Sequence, residues 1–540
     1  MEQYQYTSEY SEMPVINQDR YFSKIHAKHQ AAYGDFGAVN IRDNIVSTFR
    51  EALIQERNPS VSNNVLLVGK VQSGKTSNLE LFTALAFDNG FNLVVIYGGY
   101  DSTLLGQTTN RFRKTFDIPS ETDYSDSSPV IFSSDDSKQL LSVDNEIFED
   151  LLTANKPVFL ISMKRPAAMA KVNDLLQRID KSKLRAFIID DEGDQASLNT
   201  KKNKATDASA TYAEIVRMKK QLGDPLYLSV TATPQAIIFL DEYSELRPDA
   251  IRLIEPGKGY CGAESYHLFD SDSIEIISDE DQQELTNGKM PGTLRAAICH
   301  YIISSAIMCK RGKNMSDMII HSHRNVSNHS AIYQCVDAFV QAFKDDIMYN
   351  NLDALKTRFE ELEKCYIRYF SKDVRNRYEL DSLKTIICKE VVSRIYIILK
   401  NSAGQVTQAT ESLRKHKIYI GGDLLQRGVT FPNLVTTYFS RWANDGGNMD
   451  TNLQRARWFG YREKYIDLCK IFTTENISRE FTTLSEMEAD LWEQFYSVQS
   501  GEMKIDELLI RADNTKQRPT RKNVATYKTV TFKNNGVLLP

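Results

Sequence analysis

The chain is expected to fold as α/β, with two parallel-sheet lobes in tandem, a helical insertion in the second lobe and appendages at both ends. Three observations predict this. A short apolar run, Val65 to Val68, stops at Gly69 and leads into GKVQSGKT, the GxxxxGK[ST] spacing of a phosphate-binding loop. Apolar runs then alternate with helix-spaced segments up to about residue 245, which implies one parallel sheet with crossover helices. A second alternation fills residues 301–480 and has no phosphate loop of its own.

The first lobe, residues 63–245, is organised by that loop. After it, Leu79, Leu81, Phe82 and Leu85 keep helical spacing as far as Gly90, so the motif sits between a strand and a helix. In that context the loop N–H groups from Gly69 through Gln72, Ser73 and Gly74 would surround a nucleotide's phosphates at the positive end of the helix. Lys75 would reach the outer phosphates, and Thr76 would ligate Mg²⁺. Upstream, residues 1–62 read as an N-terminal extension whose helix, IRDNIVSTFREALIQE, is closed by Pro59.

Further along, FNLVVIYGGY reads as a strand, followed by a polar loop with Gln107 and Arg111 at the sheet's carboxyl end, where ligands bind in open α/β folds. A later apolar run, Ala186 to Ile189, is followed at once by Asp190, Asp191, Glu192 and Asp194. Carboxylates there are costly unless something pairs with them, and a bound Mg²⁺ is the obvious partner. Asp191 is assigned to the metal, with Asp190 as the alternative, and Glu192 to the attacking water. PLYLSVTATPQAI then brings Thr231 and Thr233 to a strand end, where hydroxyls can bridge the acids and the cleft.

Residues 246–300 read as a Gly-, Pro- and Asp-rich connector, and 336–390 as the helical insertion. His321, His323 and His329 lack a carboxylate or Cys set at ligand spacing, so ordinary hydrogen bonding is expected of them. The second lobe is rich in arginine instead. Arg427 lies in GGDLLQRGVTF, and Arg457 and Arg462 lie with Gln454 in a helix-like DTNLQRARWFGYREKY. Arginine forks onto phosphate oxygens, so such a segment facing a nucleotide held by the other lobe can stabilise a transferring phosphoryl group.

Composition narrows the class. At 540 residues, two domains are the natural prior. The net charge of −5 gives no global attraction to a polyanion, so nucleic acid must be met by local basic surface, and the basic tail 481–540, with Arg521 and Lys522, is the place for it. Seven scattered cysteines without a CxxC pair suit reduced thiols. The polar N-terminus, and the absence of a run near bilayer-spanning length, point to a cytoplasmic protein with no membrane partner.

GKVQSGKT, LLGQTTNRF, IIDDEGDQAS, SVTATP, IYIGGDLLQRGVTF and DTNLQRARWFGYR, in this order, resemble helicase-like ATPases of superfamily two, and more closely the Z-one domain family. The resemblance covers roughly residues 60–480 and implies two RecA-like lobes with ATP and Mg²⁺ between them. It implies that Lys75 and Thr76 bind phosphate and metal, that Asp191 and Glu192 form the hydrolytic pair, and that Thr231 and Thr233 couple the lobes. Arg427 would face the nucleotide, and Gln454, Arg457 and Arg462 would be sensor and finger candidates. Position 430 is Thr where many helicases have Asp, and Gln454 stands three residues from Arg457 rather than four, so the choice between Arg457 and Arg462 stays open.

The function expected from this is Mg-dependent ATP hydrolysis coupled to DNA translocation or remodelling in a bacterial restriction or anti-phage system. Methyltransferase and MutL-like or GHKL-type ATPase partners are implied by resemblance alone. The alternatives are an ATP-gated assembly switch and an endonuclease component, although no PD…ExK or HNH-like arrangement stands in the chain.

Overall fold

The protein is described here by a computed structural model covering residues 15–56, 63–99, 102–119, 128–201, 207–241, 243–268, 272–322, 326–400, 414–422, 430–442, 447–510 and 517–521. Among these residues two parallel sheets dominate. The first runs β3 (Val130–Ser133), β4 (Val158–Ser162), β2 (Leu93–Tyr97), β5 (Ala186–Asp191), β6 (Leu226–Thr231), β1 (Asn64–Gly69) and β7 (Ala250–Ile254). Helices cover both of its faces, so β1, β2, β4 and β6 are buried at every position, which is why they read as unbroken apolar runs rather than alternating ones. Two hydrophobic cores result, one on each face.

The second sheet runs β11 (Ile395–Lys400), β12 (His416–Gly421), β10 (Ser316–His321), β13 (Leu434–Phe439), β15 (Lys470–Thr473) and β9 (Ile274–Ile276). A short antiparallel pair, β14 (Gly460–Tyr461) with β8 (Tyr260–Cys261), packs against the second lobe's core. The α/β class with two parallel sheets is therefore the one the sequence predicts.

Local corrections are needed. The stretch 246–300 is more than a connector: β7 extends the first sheet, β9 extends the second, and β8 meets β14. Its strands are two to five residues long and separated by Gly and Pro, so periodicity could not reveal them. The polar segment after β2 is a helix, Ser102–Phe116, with Leu105, Phe112 and Phe116 buried beneath its polar face. DTNLQRARWFGYREKY is only briefly helical: Met449–Arg455 gives way to β14 and a 3₁₀ turn. Pro59, expected to close the N-terminal helix, lies outside the described residues.

Among the described residues one helix, Gly292–Lys310, has the length and hydropathy of a membrane span, against the expectation of none; 72% of that window is buried in the fold, as for a core helix. Another links the lobes. Glu475–Ser500, capped by Thr474 and ended at Gly501 (φ 83°), places Ile477, Phe481 and Leu484 in the second lobe's core and Leu491, Trp492 and Phe495 in the first's. Each such side chain contributes about 1.5–3 kcal/mol when fully buried, so the helix is firmly seated at both ends.

Candidate active site

β6 lies between β1 and β5, so the phosphate loop and the acidic run emerge on the same carboxyl edge two strand spacings apart, roughly 10 Å. The loop curls through Gln72 (φ 58°) and Gly74 (φ 93°) before Lys75 opens the helix Lys75–Asp88. Gly69 has to be glycine, since a Cβ there would stand 2.8 Å from Lys75 Cγ and 3.2 Å from Ile254 Cβ. Lys75 Nζ folds back over the loop, donating long hydrogen bonds to the carbonyls of Lys70 (3.3 Å) and Gly69 (3.4 Å). Ser73 is buried and its Oγ has no partner, and Thr76 is half-buried at the helix's second position. An orphaned hydroxyl, a curled loop and a weakly held ammonium fit a phosphate group.

On β5 the carboxylates divide. Asp190 is fully buried: its Oδ1 takes Lys164 Nζ at 2.5 Å and Ser197 Oγ at 3.0 Å, and Tyr227 donates to its Oδ2. That side chain is satisfied within the core, so the alternative of Asp190 as metal ligand is withdrawn. Asp191 is pushed up to about 6, first by burial and then by the Glu192 carboxylate, while Lys164, Lys75 and Arg111 pull the other way. A carboxylate held that far above its usual range is one that a cation would stabilise. Lys75 is lowered, chiefly by burial, with Glu192 and Asp191 opposing and Arg457 reinforcing the shift. Loop ammonium, two acids and a second-lobe arginine thus share one electrostatic environment.

Glu192 takes a left-handed backbone (φ 54°), unusual for a non-glycine residue. Lys164 Nζ holds its carbonyl at 2.8 Å, and Gln195 Nε2 reaches its Oε2 at 3.1 Å. Asp194 is buried and accepts from Thr231 Oγ1 (2.8 Å) and Thr233 Oγ1 (3.0 Å).

The second lobe enters through Gln454, near the end of the Met449–Arg455 helix. Its Nε2 lies 2.8 Å from Thr233 Oγ1 and 3.3 Å from both Glu192 Oε2 and Asp194 Oδ2, and its Oε1 accepts from Gln195 at 3.4 Å. Three residues on, the Arg457 carbonyl accepts from Gln72 Nε2 at 3.2 Å, which fixes the arginine beside the phosphate loop. Arg462 behaves otherwise. It is 2% exposed, and its guanidinium donates to the carbonyls of Phe431 (2.7 Å), Pro432 (2.9 Å) and Trp458 (3.3 Å) and to the Tyr465 hydroxyl (2.7 Å). Longer contacts reach the Arg457 and Phe459 carbonyls, so its donors are engaged inside the second lobe and its place among the finger candidates is corrected.

Arg521, expected to meet nucleic acid, instead donates to the Asp194 carbonyl at 2.7 Å. Gln107 is half-buried and Arg111 exposed on the Ser102–Phe116 helix, and the charge of Arg111 acts on Asp191. Arg427, Lys522 and His323 lie outside the described residues. Among the described residues no group of three or more His, Cys, Asp or Glu side chains stands ready for a metal.

Several partners went unassigned in the sequence. Tyr461 donates to the Ser73 carbonyl at 2.9 Å and Tyr260 to that of Val71 at 2.7 Å, so β14 and β8 grip the phosphate loop from outside. Lys164 stands two residues past the end of a buried strand, a signal close to the one that marked the acids, and Gln195 stands three residues after Glu192. Either could have been found that way.

The fold and site define a two-lobed α/β protein with a phosphate loop in the first lobe and a reaching glutamine and arginine in the second. Residues 293–518 match the Z1 domain, a span that includes Gln454, Arg457 and Arg462 and begins after the whole first sheet. No curated protein matches the chain. Among solved structures it is similar to S. cerevisiae Dbp5 bound to RNA and ADP BeF3, at 12% identity and TM-score 0.38, over 87% of this chain and 97% of that one. RecG bound to a three-way DNA junction shares 12% identity at TM-score 0.43, over 94% and 51%. The DUF1998 helicase MrfA bound to DNA shares 11% at 0.43, over 90% and 54%. The chain thus spans about half the length of the latter two.

Proposed function

We propose that this chain hydrolyses ATP between its two lobes and couples turnover to translocation on, or remodelling of, DNA. The observation that supports this best is Gln454, a second-lobe side chain within hydrogen-bond reach of Glu192, Asp194 and Thr233 of the first. A residue placed so can report the state of one lobe's nucleotide site to the other.

In this reading the loop N–H groups, Ser73 Oγ and Lys75 hold the triphosphate. Thr76 and Asp191 are the residues that would hold Mg²⁺, which, when bound, neutralises charge on the phosphate oxygens. Glu192, oriented by Gln195 and Gln454, takes a proton from the attacking water. Arg457 is the finger that steadies charge on the transferring group, and Arg427 is a further phosphate contact from the second lobe. Thr231 and Thr233 couple the lobes through Asp194. Gln107 and Arg111, on the sheet's carboxyl edge, are the proposed first-lobe contacts to nucleic acid. The setting that the family resemblance implies is a bacterial restriction or anti-phage system, and the cytoplasm is the compartment proposed for it.

An ATP-gated assembly switch is the second reading, favoured by the Glu475–Ser500 helix being rooted in both cores. ATPase assays without nucleic acid, with single strands and with duplex separate the two. Stimulation by DNA that weakens with added salt supports coupling to DNA. Turnover indifferent to DNA supports the switch, and no turnover at all refutes both.

A further inference from the structure

The strip Gln517–Arg521 lies across the junction of the lobes, far along the chain from every motif discussed above. Its backbone pairs with the start of the Met449–Arg455 helix: Met449 N donates to the Arg518 carbonyl at 2.9 Å and Arg518 N to that of Gly447 at 3.0 Å. Gln517 is buried, accepting from Asn452 Nδ2 at 2.8 Å and donating to Glu480 Oε2 at 2.6 Å. Thr520 is fully buried and donates to Asp450 Oδ2 at 2.9 Å. With Asp450 and Asn452 of one helix and Glu480 of another held in this way, Arg521 is delivered across the interface to the Asp194 carbonyl.

That carbonyl belongs to the loop Glu192–Gln195, which carries the acid on a left-handed backbone. Lys164 holds the carbonyls of Glu192 (2.8 Å) and Gln195 (3.4 Å) from within the first lobe. Arg521 holds the Asp194 carbonyl, which lies between them, from outside. A strained loop keeps its shape only when its surroundings fix it from more than one side.

We infer that Arg521 is a positioning residue for ATP turnover. By fixing the Asp194 carbonyl while Gln517 and Thr520 grip the helix that carries Gln454, the strip keeps Glu192 and Gln454 in register. This rests on the ATPase reading above. Arg521 acts through the loop backbone, so its loss lowers kcat and leaves the KM for ATP nearly alone, whereas loss of a phosphate-binding group would raise KM.

The test is steady-state ATPase on the full chain as wild type, R521A, R521K and T520V, with and without added guanidinium chloride at low millimolar concentration. R521A is expected to lower kcat about tenfold, the loss of one charge-assisted hydrogen bond, with KM within about twofold of wild type. R521K falls between the two, T520V shows a smaller drop of the same kind, and guanidinium partly restores R521A while leaving K75A inactive. An unchanged kcat in R521A, a raised KM with kcat intact, or no rescue by either lysine or guanidinium would overturn the inference. Wild type without turnover would instead remove the reading beneath it, so the two failures are told apart.

Discussion

The two lobes are built on the same kind of parallel sheet, yet their carboxyl edges differ in what they can hold. The first presents a curled loop with Lys75 and, two strands away, Asp191, Glu192 and Asp194. On the second, the described ends of β10, β12 and β13 present His321, Ser322, Gly422, Ser440 and Arg441, with no carboxylate among them. The described ends of β15 and β9 are followed by Glu475 and by Asp279, Glu280 and Asp281, but these acids open helices and no phosphate loop stands beside them among the described residues. The second lobe participates through side chains it reaches across, Gln454 and Arg457, and through two tyrosines on the loop's carbonyls. Two parallel sheets, of seven and six strands, thus differ in what their strand ends present, and a shared architecture does not by itself decide what a lobe does.

The sharpest way to break this comparison is to remove the first lobe's chemistry. K75A and E192Q should each lower ATP turnover by roughly a hundredfold or more, the scale of losing an essential acid–base or phosphate-binding group. E192Q should still bind nucleotide in a fluorescence titration. Turnover retained by both purified variants would end the assignment.

Next in size is the contrast between two arginines five residues apart. R457A is expected to lose about a thousandfold in kcat at an unchanged melting temperature, as for a finger supplied across a cleft. R462M should do the reverse, lowering the melting temperature because it strands buried carbonyls at a cost of about 1–3 kcal/mol each. If R457A melts early and R462M is merely slow, the two roles have been exchanged.

A smaller effect is expected at the contact between lobes. Q454A should slow turnover about tenfold, the scale of one hydrogen bond to a charged group, and should weaken any stimulation by DNA more than it weakens the basal rate. Equal loss in both rates would show that Gln454 orients Glu192 without carrying a signal.

The smallest expected effect is in acid. Burial pushes His267 and His300 down to about 3 and His416 down to about 4, all three within the second lobe. Their folded forms stay neutral where unfolded histidines, near 6.5, take up protons, so stability from these groups is lost as pH falls from about 6.5 toward 4. Asp317 in the same lobe is raised by burial and works the other way, one group against three. In the first lobe Asp191, raised to about 6, becomes less costly as it is protonated. Melting curves between pH 7 and pH 4.5 should therefore show the second lobe weakening first. H300Q, which can keep a hydrogen bond to Thr436, should flatten the slope by about one proton.

What was legible in the sequence follows from distance along the chain. The phosphate loop and the acidic run are each complete within a dozen residues, and a buried strand before each one announces which end of the sheet it occupies. The sequence favours Asp191 over Asp190 but leaves the latter as an alternative, because their difference depends on Lys164, Ser197 and Tyr227 converging on only one of them. The same holds for Arg457 and Arg462, which are chemically identical and separated only by the cage of carbonyls around one. The Ser102–Phe116 helix was hidden by its polar face, and Arg521 read as free basic surface because nothing local shows that it returns to Asp194.

The Glu475–Ser500 helix, about 39 Å long at 1.5 Å per residue, is anchored at both extremities like an axle in two bearings. Separating the lobes would expose one set of anchors, at about 1.5–3 kcal/mol for each fully buried side chain. A movement of one lobe against the other that kept both sets of anchors buried would turn about this helix or flex it near Glu488, between Leu484 and Leu491.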